Sequence, residues 1–285
     1  MLCPDFLFPQ IQGYTLYHKT TKITFPQLCT RLHLVLGLLV MNRKIAFAQG
    51  EYYHIYNRGV EKRDIFKTDE DRKRFQRLLH LSNGEKPTVY RLVQGVTLYK
   101  EDVGKKISAV GAYVLMPNHF HILLKETKEN GISEFLQKFT TAYVMYFNKK
   151  YDRVGPLFQG TFKARHVNDD EYLKYLFAYI HLNPVKTIDA GWGEKRVIDQ
   201  GKAKTFLKGY SYSSYLDLAG TKRPESVILS PKEFPAYFSR GVEFEDMVDE
   251  WVNFEEGEGQ TEAQKRTPLD ESDEGENLMA QYLAD

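Results

Sequence analysis

The sequence of 285 residues has little cysteine and no long hydrophobic run. Its two cysteines, Cys3 and Cys29, both lie near the N-terminus, which excludes a disulfide framework and a cysteine-based zinc site in the rest of the chain. The apolar run Leu32–Met41 is too short to span a bilayer, contains His33 and lies too far along the chain for a signal peptide. These absences predict a cytoplasmic protein with no membrane partner.

The sequence also lacks a P-loop and a dinucleotide-binding fingerprint, so we expect no nucleotide cofactor. Its net charge of +1 hides an asymmetry. Residues 241–285 hold 15 of the 38 acidic residues and only 2 of the 39 basic ones, which leaves 37 basic against 23 acidic residues in 1–240, a balance of +14. A basic body with an acidic tail favours a polyanionic partner, nucleic acid first, and a generic solvated surface is the alternative.

Three regions follow from composition and periodicity. Residues 1–40 have no clean periodicity, and we interpret them as an N-terminal extension outside the domain, with Met41 as a plausible true start. Residues 41–220 are predicted to form one domain. Residues 221–285 are predicted to be a C-terminal extension that ends in an acidic tail, which from Glu243 onward has the composition of a disordered segment.

Hydrophobic periodicity within the domain alternates between two residues and 3.6 residues, which indicates a mixture of strands and helices. We expect strands at residues 51–59, 89–99, 107–116 and 119–125, and helices at residues 69–81, 131–151 and 172–182. The helix at 131–151 carries an aromatic stripe that is most simply explained as core.

The stretch Met116–Leu124 is the centre of the chain's chemistry, because it carries His119 and His121 on either side of Phe120. Side chains alternate along a strand, so the two histidines share one face while Phe120 enters the opposite layer. Two adjacent imidazoles form half of a divalent-metal site. A pair of strand histidines without a ligand is the alternative interpretation.

Basic residues and aromatics alternate around the segment Gly155–Phe162. This pattern is typical of a groove that follows a phosphate backbone and stacks bases, and a loop with solvated charges is the alternative. The candidate DNA-binding residues are Arg58, Lys149, Lys150, Arg153, Phe158, Gln159, Lys163 and Arg165.

Three blocks in this order resemble the single-tyrosine HUH transposases (IS200-like), and most closely the REP-associated tyrosine transposases. The blocks are Tyr52–Gly59, Met116–Leu124 and Tyr179–Val185, and the resemblance covers roughly Glu51–Tyr215. It implies an α+β fold with a ferredoxin-like, RRM-like antiparallel sheet, helices packed on one face, and the HUH pair on a central strand.

The resemblance also implies a chemistry. His119 and His121 would hold Mg²⁺ or Mn²⁺, and Asn183, one turn after Tyr179, would complete the metal site. A polar cap of the helix end is the alternative role for Asn183. Tyr179 would attack phosphorus in single-stranded DNA beside a hairpin, giving a 5′-phosphotyrosine and a free 3′-hydroxyl. A neutral phenol is a poor nucleophile, so attack requires the metal or a base nearby.

Two other functions remain open from the residues alone. One is a non-catalytic module that binds hairpin DNA or RNA, since the fold is shared with RNA-binding domains. The other is a metal phosphodiesterase in which water attacks instead of Tyr179. His54 could be a partner of the metal site, a DNA contact or a core residue, and we favour a structural role. The resemblance leaves a monomer or a homodimer open.

Overall fold

The computed structural model describes residues 46–87, 95–189, 200–238 and 240–253. Its centre is one four-stranded sheet in the order β2-β3-β1-β4, with every neighbouring pair antiparallel. The strands are β1 (Tyr52–Arg58), β2 (Ala109–Met116), β3 (His119–Lys125) and β4 (Lys163–Val167). The predicted α+β class with an antiparallel sheet is therefore confirmed.

Six α-helices surround the sheet in the described part of the chain. They are α1 (Asp69–Leu81), α2 (Gly131–Lys150), α3 (Asp170–Leu182), α4 (Gln200–Gly209), α5 (Tyr215–Leu218) and α6 (Gly241–Asn253). Short 3-10 helices occur at Val60–Lys62, Gly95–Lys100, Asn183–Thr187, Pro224–Ile228 and Pro231–Glu233. None of the helices in these residues is long and apolar enough to cross a membrane.

Three sequence predictions fall partly or wholly outside the described residues. The predicted strand at 89–99 is wrong where it can be judged, because Gly95–Lys100 forms a 3-10 helix, while 89–94 lie outside the described part. The N-terminal extension 1–40 and the tail beyond residue 253 also lie outside it. The acidic segment that begins at Glu243 is helical over its first residues, since α6 runs to Asn253.

An aromatic core fills the space between one face of the sheet and helices α1 and α2. Phe75 of α1 lies 5.1 Å from Phe120 of β3 and 5.0 Å from both Phe139 and Tyr143 of α2, measured between ring centroids. All four side chains are fully buried. The stripe predicted on the helix at 131–151 is thus core, and edge-to-face rings supply its cohesion. We call this side the aromatic face.

The opposite face of the sheet is covered by α3, and α4 and α6 pack in the same apolar cluster, so helices lie on both faces and not on one as expected. Leu123 of β3 and Val114 of β2 pack in the same cluster as Leu173 and Ile180 of α3. The sequence of β2, Ala109–Met116, is apolar throughout, and every residue of the strand is buried. A strand of this kind requires an apolar layer on each side. We call this second side the site face.

The C-terminal segment contacts both sides of the sheet: Ile228 and Leu229 lie in the aromatic core, whereas the residues from Phe234 onward pack against the site face. Phe234 fits against Gly111 of β2, where a Cβ atom would lie 2.6 Å from the phenyl ring, so only glycine admits this approach. Phe244, Met247 and Val248 of α6 are also buried. These contacts hold α6 against α3, the helix that carries Tyr179.

Candidate active site

His119 and His121 lie on β3, an inner strand of the sheet, and both point to the site face. In the antiparallel register His119 lies opposite Arg58 and His121 opposite Tyr56. The histidines are only 7% and 4% exposed, and their ring centroids are 5.1 Å apart with perpendicular planes. A two-residue turn, Pro117–Asn118, connects β2 to β3 and places the pair at the end of the strand.

Helix α3 places Tyr179 above this pair. The Asp169 carboxylate accepts a hydrogen bond from the Tyr172 amide at 2.7 Å and fixes the start of the helix. Tyr179 is half-buried. Its ring centroid lies 5.7 Å from that of His121, at an interplanar angle of 89°, and 6.0 Å from that of His54.

Asn183 lies one turn beyond Tyr179 and is 2% exposed. Its Nδ2 donates a hydrogen bond of 2.8 Å to the Tyr179 carbonyl oxygen, so the side chain caps the end of α3. Its Oδ1 is buried and has no hydrogen-bond partner. The two roles left open by the sequence are therefore compatible, because the amide nitrogen caps the helix while the amide oxygen stays available.

The donor atoms fit a divalent cation. His121 Nε2 and Asn183 Oδ1 are buried atoms without hydrogen-bond partners, and such atoms are costly unless something binds them. Burial, followed by the neighbouring His54 and His119, lowers the pKa of His121 well below its usual value, so the imidazole is neutral and keeps a lone pair. Imidazole and amide oxygen are suitable ligands for Mn²⁺ and less so for Mg²⁺.

The described residues contain no group of three or more His, Cys, Asp and Glu side chains arranged to hold a metal. A cation at this site therefore depends on two imidazoles and the Asn183 amide. Such a ligand set carries no negative charge of its own.

The candidate DNA-binding residues separate into three places. On the site face, Arg165 and Lys163 of β4 lie opposite His54 and Tyr56 of β1, and Arg58 lies opposite His119. Lys163 is exposed. The Arg165 guanidinium lies 4.7 Å over the Tyr172 ring, which holds it next to α3. These three cations lie on the same side of the sheet as the histidines.

A second group lies at the end of α2, beside the aromatic face. Lys149 is exposed, whereas the Lys150 ammonium is 2.6 Å from the buried Asp71 carboxylate. Arg153 donates a hydrogen bond of 2.9 Å to Asn148 Oδ1. Lys150 and Arg153 thus have structural partners within the fold.

The loop between α2 and β4 holds the last two candidates. Gln159 is exposed, and its backbone amide donates to the Arg58 carbonyl at 2.8 Å. The structure corrects the expectation that Phe158 contacts DNA, because its ring is 6% exposed and packs 5.8 Å from the Phe120 ring in the aromatic core. An aromatic between two basic segments predicted a base-stacking platform, but burial removes its ring from any base.

Sequence reasoning missed the contribution of Asn118 and left that of His54 open. The Asn118 Oδ1 and His119 Nδ1 atoms are 2.6 Å apart, and the His54 Nε2 and His121 Nδ1 atoms are 2.9 Å apart. The available signals were an amide directly before the first histidine and an imidazole two residues before Tyr56 on a predicted strand. Neither signal states which atoms meet, because that depends on strand register.

Comparison with known proteins gives one family. Residues 48–183 match the family described as "Transposase IS200 like". No curated protein matches the chain. This matched region contains β1, the histidine pair, Tyr179 and Asn183.

Solved structures also resemble the chain, at low identity. A REP-associated tyrosine transposase bound to a REP hairpin is 16% identical, with a TM-score of 0.37, over 71% of this chain and 97% of that chain. A bacterial tRNA(His) guanylyltransferase-like protein in complex with ATP is 12% identical, with a TM-score of 0.31, over 63% of this chain and 76% of that chain. Over residues 48–183, just under half of its length, this chain is therefore similar to the IS200-like transposases.

Proposed function

We propose that this protein nicks single-stranded DNA beside a hairpin and transfers the cut strand through a covalent bond to Tyr179, with a divalent cation bound nearby. The observation that carries the proposal is the edge-to-face contact of the Tyr179 ring with His121, whose centroids lie 5.7 Å apart on the site face. Asn183 follows Tyr179 by one helical turn, and the buried donor atoms His121 Nε2 and Asn183 Oδ1 lack hydrogen-bond partners.

Tyr179 is the group that suits nucleophilic attack. Its Oη would form a bond to phosphorus while the bond between phosphorus and the 3′ oxygen breaks. The phenol loses its proton and the departing 3′ oxygen gains one, which leaves a 5′-phosphotyrosine and a free 3′-hydroxyl. Attack by another 3′-hydroxyl reverses the step and joins strands, because the phosphotyrosine conserves the energy of the phosphodiester.

His119, His121 and Asn183 would hold Mg²⁺ or Mn²⁺. When bound, the cation would polarise the scissile phosphate and offset the charge that develops on it. The protein's own contribution is placement: β3 fixes the imidazoles, and the Asn183 cap couples the amide to the helix turn that carries Tyr179. A rigid strand and a capped helix hold such a constellation better than loops do.

The DNA strand is proposed to cross the site face along Arg58, Lys163 and Arg165. These cations lie on the strands next to the histidines, so phosphates bound to them would lead to Tyr179. Single-stranded DNA is favoured because attack in line with the scissile bond requires an exposed backbone. Arg58 and the two β4 residues place positive charge on both sides of Tyr56.

The test is a covalent-adduct assay with purified protein, Mn²⁺ and labelled single-stranded hairpin oligonucleotides from the flanks of its own gene. On a denaturing gel we expect a protein–DNA adduct that disappears in Tyr179→Phe and in His119→Ala. Tyr175→Phe is the matched control, because Tyr175 lies one turn earlier on α3 with its ring 6.0 Å from that of Tyr179. This control should form the adduct at the wild-type level.

Other outcomes would replace the proposal. Cleavage without an adduct that survives Tyr179→Phe would indicate a phosphodiesterase in which water attacks. Tight binding of the hairpins with no cleavage of any of them would indicate a binding module. An adduct that survives Tyr179→Phe but not Tyr175→Phe would place the nucleophile one turn earlier on the same helix.

A further inference from the structure

The orientation of His119 is determined by a chain of contacts that starts in a strained turn. Glu61 and Lys62, which follow β1 after Gly59 and Val60, both have left-handed backbone conformations, with φ angles of 57° and 58°. Residues with a Cβ rarely adopt this conformation, and where they do the surrounding structure holds them there for a reason. Here the Lys62 carbonyl oxygen accepts a hydrogen bond of 3.2 Å from Asn118 Nδ2.

That contact fixes which way the Asn118 amide points. A carbonyl oxygen only accepts hydrogen bonds, so the amide Nδ2 of Asn118 must face Lys62 and its Oδ1 must face His119. The distance from Asn118 Oδ1 to His119 Nδ1 is 2.6 Å. Because Oδ1 also only accepts, His119 Nδ1 carries the proton, and in the neutral imidazole Nε2 then holds the lone pair.

His54 stands in the same relation to the second histidine. Its Nε2 lies 2.9 Å from His121 Nδ1, and the two ring planes are inclined by only 18° with centroids 5.1 Å apart. Nearly coplanar rings joined through their nitrogens are the arrangement of an N–H···N hydrogen bond. Both side chains are buried, which favours uncharged imidazoles, and an uncharged imidazole has one nitrogen that can accept a hydrogen bond.

The direction of the bond between the histidines depends on what His121 Nε2 binds. When Nε2 gives its lone pair to a cation, Nδ1 of the neutral ring must carry the proton and donate it to His54 Nε2. His54 then carries its own proton on Nδ1. His54 Nε2 lies within hydrogen-bonding distance of His121 Nδ1, so His54 supplies the acceptor that this arrangement needs.

We propose that Asn118 and His54 are positioning residues that hold His119 and His121 in the tautomers presenting Nε2 to a divalent cation. The inference rests on the proposed metal site but not on the chemistry at Tyr179. It assigns the strained turn after β1 a purpose, since the turn aims the Lys62 carbonyl that orients Asn118. It also replaces the purely structural role that the sequence favoured for His54.

The test measures Mn²⁺ binding by electron paramagnetic resonance, without DNA, and the histidine tautomers by nitrogen NMR. His54→Phe keeps a planar ring but removes the acceptor, and we expect Mn²⁺ affinity to fall about 10–100-fold. His54→Gln keeps an acceptor oxygen of similar reach, and its affinity should stay within about threefold of wild type. In the NMR spectrum of the metal-free protein, His119 should be the Nδ1–H tautomer, and Asn118→Leu should convert part of it to the Nε2–H form.

Each result separates this inference from the proposed function. Wild-type affinity in His54→Phe, together with loss of Mn²⁺ in His121→Ala, would overturn the role of His54 alone. An Nε2–H tautomer of His119 in the wild type would overturn the role of Asn118. Mn²⁺ binding that survives His121→Ala would overturn the metal site and this inference together. Tyr179→Phe should keep wild-type Mn²⁺ affinity, because it alters only the nucleophile.

Discussion

The two faces of the sheet differ in whether their buried polar atoms have hydrogen-bond partners. On the aromatic face, Phe75 packs its ring against those of Phe120 and Tyr143. The hydroxyl of Tyr143 is paired, because it donates a hydrogen bond of 2.5 Å to the Ile65 carbonyl oxygen. On the site face, His121 and Asn183 are equally buried but carry atoms without hydrogen-bond partners. One face is built for stability, and the other gives up stability to keep donor atoms available.

The difference between the two faces is tested most directly by changing two adjacent residues of β3, one on each face. Phe120→Ala should lower the free energy of unfolding by about 3–5 kcal/mol, because it removes a fully buried ring that contacts Phe75, Phe139 and Phe158. The measurement is urea unfolding followed by circular dichroism. Mn²⁺ affinity of the folded fraction should remain close to wild type.

His121→Ala is the matched change on the other face. It should abolish Mn²⁺ binding while lowering the free energy of unfolding by less than Phe120→Ala, since it also removes a buried nitrogen that has no partner. If His121→Ala proved as destabilising as Phe120→Ala, the site face would be an ordinary core. The distinction between the two faces would then be lost.

Asp71 on the aromatic side is a useful contrast to His121 and Asn183, because its buried carboxylate oxygens both accept hydrogen bonds. Its carboxylate accepts hydrogen bonds from Lys150 at 2.6 Å, Tyr151 at 2.6 Å and Tyr146 at 2.9 Å, besides capping α1. Burial opposes its ionisation, but these hydrogen bonds outweigh burial and lower the pKa to about 2. Satisfied polar groups of this kind stabilise the fold, whereas His121 Nε2 and Asn183 Oδ1 on the site face have no hydrogen-bond partner.

The lowered pKa predicts a loss of stability in acid. A folded-state pKa of about 2, below the unfolded value of about 3.9, means that the stabilisation is present above pH 4 and is lost as the pH falls toward 2. We expect this carboxylate to contribute about 2 kcal/mol, which Asp71→Asn should remove at pH 7. Unfolding measured from pH 7 to pH 2 should show a smaller pH dependence in Asp71→Asn than in wild type.

The sequence predicted most of the elements that form these faces. Helix α1 and strand β1 lie at or within a residue of their expected bounds, because Phe75, Leu78 and Leu79 recur at helical spacing and turn residues at Asn57–Gly59 end the strand. The strand expected at 89–99 failed from Gly95 onward, where the run is short and the periodicity is ambiguous.

Contacts within the site were harder to predict than its residues. Tyr179, His119 and Asn183 stand out from motifs, but the hydrogen bond between His54 and His121 depends on the register of β1 against β3. Burial of Phe158 depends on how the loop after α2 closes over Phe120, and composition contains no signal for that closure. Long-range placement was therefore the missing information, not the chemistry of the side chains.

The smallest effect concerns the basic residues on the two sides. Arg58→Ala with Lys163→Ala removes two cations from the site face, and we expect affinity for a single-stranded hairpin to fall about tenfold near 0.1 M salt. The slope of log affinity against log salt should shrink by about 1.4, as expected for two lost contacts with single-stranded phosphates. The measurement is fluorescence anisotropy across a salt series.

Lys149→Ala with Arg153→Ala is the control with equal charge loss, placed at the end of α2 beside the aromatic face. Because long-range attraction of DNA depends on net charge, this pair should weaken binding by a smaller factor and leave the salt slope close to wild type. If the control pair had the larger effect on the slope, the DNA backbone would follow the end of α2. In that case the cations beside the histidines would serve the fold and not the nucleic acid, and the path of the strand to Tyr179 would have to begin at the loop that carries Gln159.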